Sequence, residues 1–356
     1  MNLVRVKKIA DAVLYEGYML YPYRASAVKN QQRWNFGVLC PRAYSEEQNG
    51  SEAWSMQTEC LLEADASTLL SIRVRFLQVL DRSIGKLKNP IAELSYGVEP
   101  EFELVDKLTT GGGTYTSWQE AVEREVPLPP LSPATFSSSQ SMPFRFPHSR
   151  EIEPLRNESS QITGIVIREW KALAGSVEID VNDCGSGLFK IIVRICNFTS
   201  DEPRQQTRAG ALMYSLVSTH AILAADGGQF VSLLDPPSEF ATLAADCRNV
   251  GTWPVLAGDE GQRDMMLSSP IILYDYPQIA PESAGSLFDG TEIDEILSLR
   301  ILTMTDEEKH EMRESDERAR EILERTETMP PEQFMKLHGV LREVRPLRDF
   351  QKEEAP

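Results

Sequence analysis

Three short, β-branched runs separated by polar turns constrain this chain more than any other feature. They occupy residues 162–170, 175–181 and 188–198, and Gly185-Ser186-Gly187 leads into the last of them. Runs of Val, Ile and Phe this short suit strands, and links of a few polar residues suit hairpins. The pattern predicts an antiparallel meander. A further hairpin is expected where 221–224 and 230–234 flank Asp226-Gly227-Gly228.

The rest of the chain divides by composition. Residues 1–126 read as a β-rich domain, with aromatic or branched runs at 13–21, 34–39, 55–63 and 69–87 and a flexible break at Gly111-Gly112-Gly113. Residues 127–160 hold six prolines between Pro127 and Pro147 around Ser137-Ser138-Ser139, which reads as a Pro/Ser-rich linker. A mixed α+β domain follows over 161–303, with a helix expected within 207–218. It includes an extended strap at 268–290, held open by Pro270, Pro277 and Pro281. Charged helices fill 304–356. Thr305 and Glu308 have capping-box spacing, the segment 306–325 reads as exposed, and an apolar stripe returns at Phe334, Leu337, Val340, Leu341 and Val344. The fold class is therefore α+β: two β-rich or mixed domains with antiparallel sheets, a proline-punctuated strap and a C-terminal helical tail.

Charge narrows the function. A net charge of −18 over 356 residues argues against binding nucleic acid or anionic membrane surfaces, and favours a partner with a basic face. No window approaches the ~18 apolar residues of a membrane span, and charges interrupt residues 9–16 where a secretory peptide would need an apolar core. Cys40, Cys60, Cys184, Cys196 and Cys247 form an odd, widely spaced set that suits reduced thiols. A cytoplasmic location is expected.

Motifs for chemistry are weak. Asp180, Asn182 and Gly185 match part of a calcium loop, but Cys184 and Ile191 fill positions that need oxygen ligands, so a hairpin turn explains them better. No G-x-S-x-G, G-x-G-x-x-G or P-loop is present, and no cofactor is implied. Cys184, Cys196, His220 and Cys247, with Asp264, would have to converge from distant positions to make a metal or catalytic site. Recognition residues stand out more. Tyr21, Tyr23, Arg24, Lys29, Arg33 and Trp34 concentrate aromatic and basic groups in one loop, and Trp253, Tyr274 and Tyr276 make a second cluster. Tyr, Trp and Arg are the residue types enriched at binding hot spots.

The run from Leu14-Tyr15-Glu16-Gly17 through Tyr21-Pro22-Tyr23-Arg24 to Phe36-Gly37-Val38-Leu39 resembles a bacterial family encoded beside nickel–iron hydrogenase genes. So does the strap Ser268-Ser269-Pro270-Ile271-Ile272-Leu273-Tyr274-Asp275-Tyr276-Pro277 with Asp289-Gly290-Thr291-Glu292 after it. The resemblance implies a non-catalytic accessory or assembly factor whose partner is a hydrogenase subunit or maturation factor, and it carries over no catalytic residues. Two other classes stay open on the residues: an enzyme or metal-handling protein built from the dispersed Cys, His and Asp groups, and a structural subunit docking through a helix at 331–344.

Overall fold

Strands β1 (Ser55–Glu63) and β2 (Leu69–Ile91) organise the molecule, and β2 alone is 23 residues long. The computed structural model describes residues 3–24, 27, 30, 33–95, 98–136, 138–200, 207–279, 285, 287, 294–330, 332, 333 and 337. After β2 come β3 (Phe102–Val105), β4 (Lys107–Thr110), β5 (Gly113–Thr116) and β6 (Trp118–Pro127). Next are β7 (Gln140–Phe146), β8 (Ser149–Arg156), β9 (Ile162–Trp170), β10 (Leu173–Asp183) and β11 (Leu188–Asn197). Then follow β12 (Val217–Asp226), β13 (Gln229–Phe230), β14 (Trp253–Leu256) and β15 (Met265–Ser269). The helices are α1 (Leu3–Leu14), α2 (Arg42–Glu47), α3 (Arg208–Leu212), α4 (Ala241–Ala245), α5 (Asp294–Leu302), α6 (Asp306–Ser315) and α7 (Glu317–Glu327). The α+β class with antiparallel sheets and a helical C-terminal region is what the residues specify.

The strands form a five-stranded sheet in the order β13-β1-β11-β10-β7 and a larger one in the order β14-β15-β12-β2-β9-β8, with β3 and β6 also paired to β2. Alternation decides the layering. On β2, Leu70, Ile72, Val74 and Phe76 share a core with Val177, Ile179, Ile191, Val193 and Ile195 of the smaller sheet, while Leu77 and Val79 join a second core under the C-terminal helices. A third core lies under α1, where Val6, Ile9, Ala10 and Val13 cover Ile222, Ala224, Val255 and Leu267. A strand with apolar side chains on both faces must be covered on both, and β2 is over residues 70–80.

Several expectations change here. Residues 127–160 are not a linker: β7 pairs with β10 and β8 with β9. Nor do 1–126 and 161–303 form separate domains, because β1 pairs with β11 and β2 with both β9 and β12. The three-strand meander is a single hairpin. β10 and β11 pair across Asp183, whose Oδ1 accepts from Gly185 N at 2.7 Å, while β9 belongs to the other sheet and the chain crosses over at Lys171 and Ala172. The Asp226-Gly227 turn is likewise a crossover, since β12 pairs with β2 and β15 and β13 pairs with β1. Local pattern marks strands and turns, but the partner of each strand is set by distant contacts. The run at 13–21 is not a strand either: Val6, Ile9, Ala10, Val13 and Leu14 recur at helical spacing along α1 and are buried.

The 207–218 region gives only the short α3, capped by Thr207, before β12 begins. The strap is described to Ile279. Its backbone is pinned to β14: Leu256 N donates to Asp275 Oδ1 and Tyr276 N to the Leu256 carbonyl, both at 2.7 Å. Ile271 and Leu273 turn onto the core beneath α1. The strap beyond 279 (apart from 285 and 287), Thr291 and most of 331–344 lie outside the described residues.

The Thr305 capping box forms in full, with Glu308 N donating to Thr305 Oγ1 at 3.2 Å and Thr305 N to Glu308 Oε2 at 3.0 Å. Thr305→Ala should therefore lower stability by about 1 kcal/mol in urea unfolding, whereas Thr305→Ser should be nearly neutral.

Candidate functional site: a two-sided cleft beside a buried arginine

Tyr15, Tyr18, Tyr23 and Trp34 form an aromatic seat for the C-terminal helices. Tyr15 and Tyr18 meet edge to face at 5.4 Å, and Tyr18 and Trp34 at 5.3 Å. Asn30 ties the loop closed: its amide donates to the carbonyls of Leu20 and Arg24, and its Oδ1 accepts from Leu20 N. Tyr23 and Trp34 hold left-handed backbone (φ 55° and 69°), a geometry that costs a bulky residue about 1–3 kcal/mol and persists because burial of both rings enforces it.

The helices dock on this seat through named contacts. Tyr18 Oη donates to Asp316 Oδ2 at 3.0 Å, and Tyr23 Oη to the Leu287 carbonyl at 2.8 Å. Asp316 also caps α7, accepting from Arg318 N at 2.9 Å. Arg24 pairs with Glu308 at 3.3 Å and Glu311 at 3.6 Å, and the Arg300 guanidinium lies over the Tyr21 ring. Met312, Ala319, Ile322 and Leu323 complete the core beneath. The charged segment 306–325 is thus no exposed tail. One face of it is buried, and the charged face forms a wall.

That wall and the sheet enclose a cleft of about 1060 Å³. Its floor is Thr114, Thr116, Ser117, Trp118 and Gln119, from β5 to β6; Asp306, Glu307, His310, Glu311 and Glu314 of α6 form one side, and Arg33 and Lys107 also line it. Thr114 N donates to Glu314 Oε2 at 3.3 Å, bracing the β4–β5 hairpin against α6. The hairpin needs its glycine: Gly111 sits at φ 58°, and a Cβ there would meet the Arg156 carbonyl oxygen at 2.1 Å. Glu314 also lines a neighbouring cleft of about 660 Å³ that holds Arg82, Arg168, Arg318 and Arg320 among carboxylates.

Arg33 is the centre of the site. It is 3% exposed, and its guanidinium carbon lies 3.7 Å from the Trp118 ring centroid, 4.4 Å from Trp34 and 5.2 Å from Tyr18. Nη1 donates to the Tyr18 carbonyl at 2.8 Å. Among the described residues Nη2 has no hydrogen-bond partner and is buried, and the same holds for Trp118 Nε1. Burial pushes the Arg33 pKa down to about 10, against the pull of Tyr18, Asp316 and Glu120 nearby. A buried donor left unpaired costs about 1–3 kcal/mol, more when charged, and the contact of the guanidinium with the Trp118 and Trp34 rings offsets part of that cost.

The recognition residues expected from sequence fare differently. Tyr23, Arg33 and Trp34 are buried, Tyr21 and Arg24 are half-buried on the helices, and Lys29 lies outside the described residues. In the second cluster Tyr274 is 83% exposed and Trp253 44%, while Tyr276 packs on the main core. Of the thiol and imidazole candidates, Cys184 and Cys247 come into one cluster beside α4, whereas Cys196 is buried in β11 and His220 in β12. Burial raises the thiols of Cys196 and Cys247 to about 11. Asp264 uses its carbonyl to accept from Ala225 N. Among the described residues no three His, Cys, Asp or Glu side chains could hold a metal ion together, and no helix is long and apolar enough to cross a membrane. Trp118 and the α6 carboxylates were not legible as a site, because a lone Trp opening a strand and a charge run each read as ordinary surface.

The sequence matches no family model and no curated protein.

Proposed function

We propose that this protein is a non-catalytic accessory or assembly factor that binds a protein partner in the cleft between β5–β6 and α6. The observation that carries the reading is the cleft itself: about 1060 Å³ of space, lined by Arg33 and Lys107 and, from α6, by Asp306, Glu307, Glu311 and Glu314. Its walls are braced against each other through Thr114 and Glu314 before any ligand arrives, so little ordering remains to oppose association. The net charge of −18 would speed encounter with a basic partner. The identity of the partner, a nickel–iron hydrogenase subunit or maturation factor, rests on the resemblance of the 14–39 and 268–292 segments, and a cytoplasmic location goes with it.

Co-expression with the hydrogenase subunits and maturation proteins of the source genome tests this. The tagged chain should retain one of them through size exclusion, and Glu307→Lys with Glu314→Lys should abolish retention while the far-UV spectrum is unchanged. Retention of none would defeat the hydrogenase assignment. Retention unaffected by the charge reversals would move the interface away from the cleft. Tyr274→Ala serves as the control for the strap: at 83% exposure it should change stability by less than about 0.5 kcal/mol, so any loss of retention reports contact with the partner.

A further inference from the structure

Three of the five cysteines, Cys40, Cys60 and Cys196, are buried. The two that are not, Cys184 and Cys247, are also the two that share one cluster: both pack against Leu61, Leu188, Val231 and Ala244. Two separate contacts bring them there. Cys184 closes the β10–β11 turn, its N donating to the Leu188 carbonyl at 2.9 Å. Cys247 follows α4, and the carbonyl of its neighbour Asp246 accepts from Lys190 Nζ at 3.2 Å. Leu188 and Lys190 lie two apart on β11, so they share a face and stand about 7 Å from each other. That face is turned away from the core made by Ile191, Val193 and Ile195. The segment after Cys247 is held to the same sheet by Arg248 N, which donates to Glu59 Oε2 at 2.9 Å. Each thiol makes a weak bond to a nearby carbonyl, Cys184 to Asn182 at 3.7 Å and Cys247 to Leu243 at 3.5 Å.

We propose that Cys184 and Cys247 are a reversible dithiol, which small disulfides of the glutathione class oxidise to an intramolecular disulfide that clasps α4 to the tip of the β10–β11 hairpin. Cys184 is the entry thiol, because Asp183 and Gly185 on either side of it are exposed. It loses its proton to solvent and attacks one sulfur of oxidised glutathione. That S–S bond breaks, a mixed disulfide forms on Cys184, and one glutathione leaves as a thiolate that takes up a proton. Cys247 then loses its proton and attacks Cys184 Sγ, which forms the protein disulfide and expels the second glutathione in the same way. The protein gives up two electrons and two protons, and the glutathione disulfide takes up both as two thiols. The other cysteines do not compete: burial raises the thiols of Cys40, Cys60 and Cys196 and suppresses the thiolate that attacks. Burial raises Cys247 too, to about 11, which suits it to the second step, where its target sulfur is already held beside it.

The test incubates the full chain with oxidised glutathione, blocks remaining thiols with iodoacetamide and digests without reduction. Mass spectrometry should find a peptide carrying Cys184 linked to one carrying Cys247. Thiol titration in denaturant should lose two of the five cysteines, and dithiothreitol should restore both. Cys247→Ser should stop at one glutathione retained on Cys184. In Cys184→Ser, glutathione should reach Cys247 at least tenfold more slowly than it reaches Cys184 in Cys247→Ser. Closure should raise the melting midpoint by about 5 °C, because the bond ties off a long loop. Five free thiols after a large excess of oxidised glutathione, or a bond between two chains, overturns the pairing. Glutathione on both cysteines with no linked peptide overturns it too, by showing two independent surface thiols. A linked pair that lowers the melting midpoint would mean that the bond distorts the fold, and overturns the clasp.

Discussion

Phe76→Ala should lower the stability of this protein by about 3–5 kcal/mol, the range for truncating a fully buried phenylalanine. Phe76 has no exposed surface and lies on the face of β2 that meets the smaller sheet. Its ring sits 5.9 Å from Phe144 and 5.7 Å from Phe146, both on β7. The side chain therefore clamps the two sheets at the edge where β7 closes the smaller one. Urea unfolding should show a lower midpoint with an unchanged slope, and Phe76→Leu should recover most of the loss. A cost below about 1 kcal/mol would mean that β7 is not docked there, and that 127–160 behaves as the linker its composition suggests.

Acidification from pH 6.5 to 4 should remove about 3 kcal/mol through His220 alone. The ring is fully buried in β12, Nδ1 donates to the Ser218 carbonyl at 2.8 Å, and among the described residues Nε2 has no partner. Burial pushes its pKa down from 6.5 to about 4, helped by Arg75, with the Ser218 carbonyl and Glu123 pulling the other way. Below pH 6.5 the unfolded chain takes up a proton that the folded one refuses, so the unfolded state binds more protons and stability falls. Above pH 6.5 both states hold neutral imidazole, and the contribution is constant. NMR of the imidazole should show no titration between pH 5 and 8, and His220→Gln should flatten the stability profile across 4–6.5. An imidazole titrating near 6.5 would refute the assignment.

How much of this was legible depends on whether a feature is local. β1 and the β10–β11 hairpin follow from alternation and turn chemistry, and the Thr305 cap from its spacing to Glu308, whereas the run at 69–87 fits a helical period as well as the strand it forms. Which strand lies beside which did not follow, because Ile162–Trp170 can pair with any exposed edge and β2, far upstream, supplies it. The aromatic-basic loop was visible as a cluster, but its direction was not. Tyr23 and Trp34 would suit a partner surface equally well, and here they join the core beneath the chain's own helices. Helix α6 misled for a related reason: its charge is real, and only Met312 and the neighbouring α7 show which face is buried.

The length of β2 carries one more implication. At roughly 3.3 Å per residue it would extend about 75 Å if straight, and it serves β12 and β6 at one end and β9 and β3 at the other. A truncation anywhere between 55 and 270 strips hydrogen-bond partners from this common spine. The molecule is therefore not modular: neither half can be transplanted as a working piece, because each would leave part of β2 unpaired.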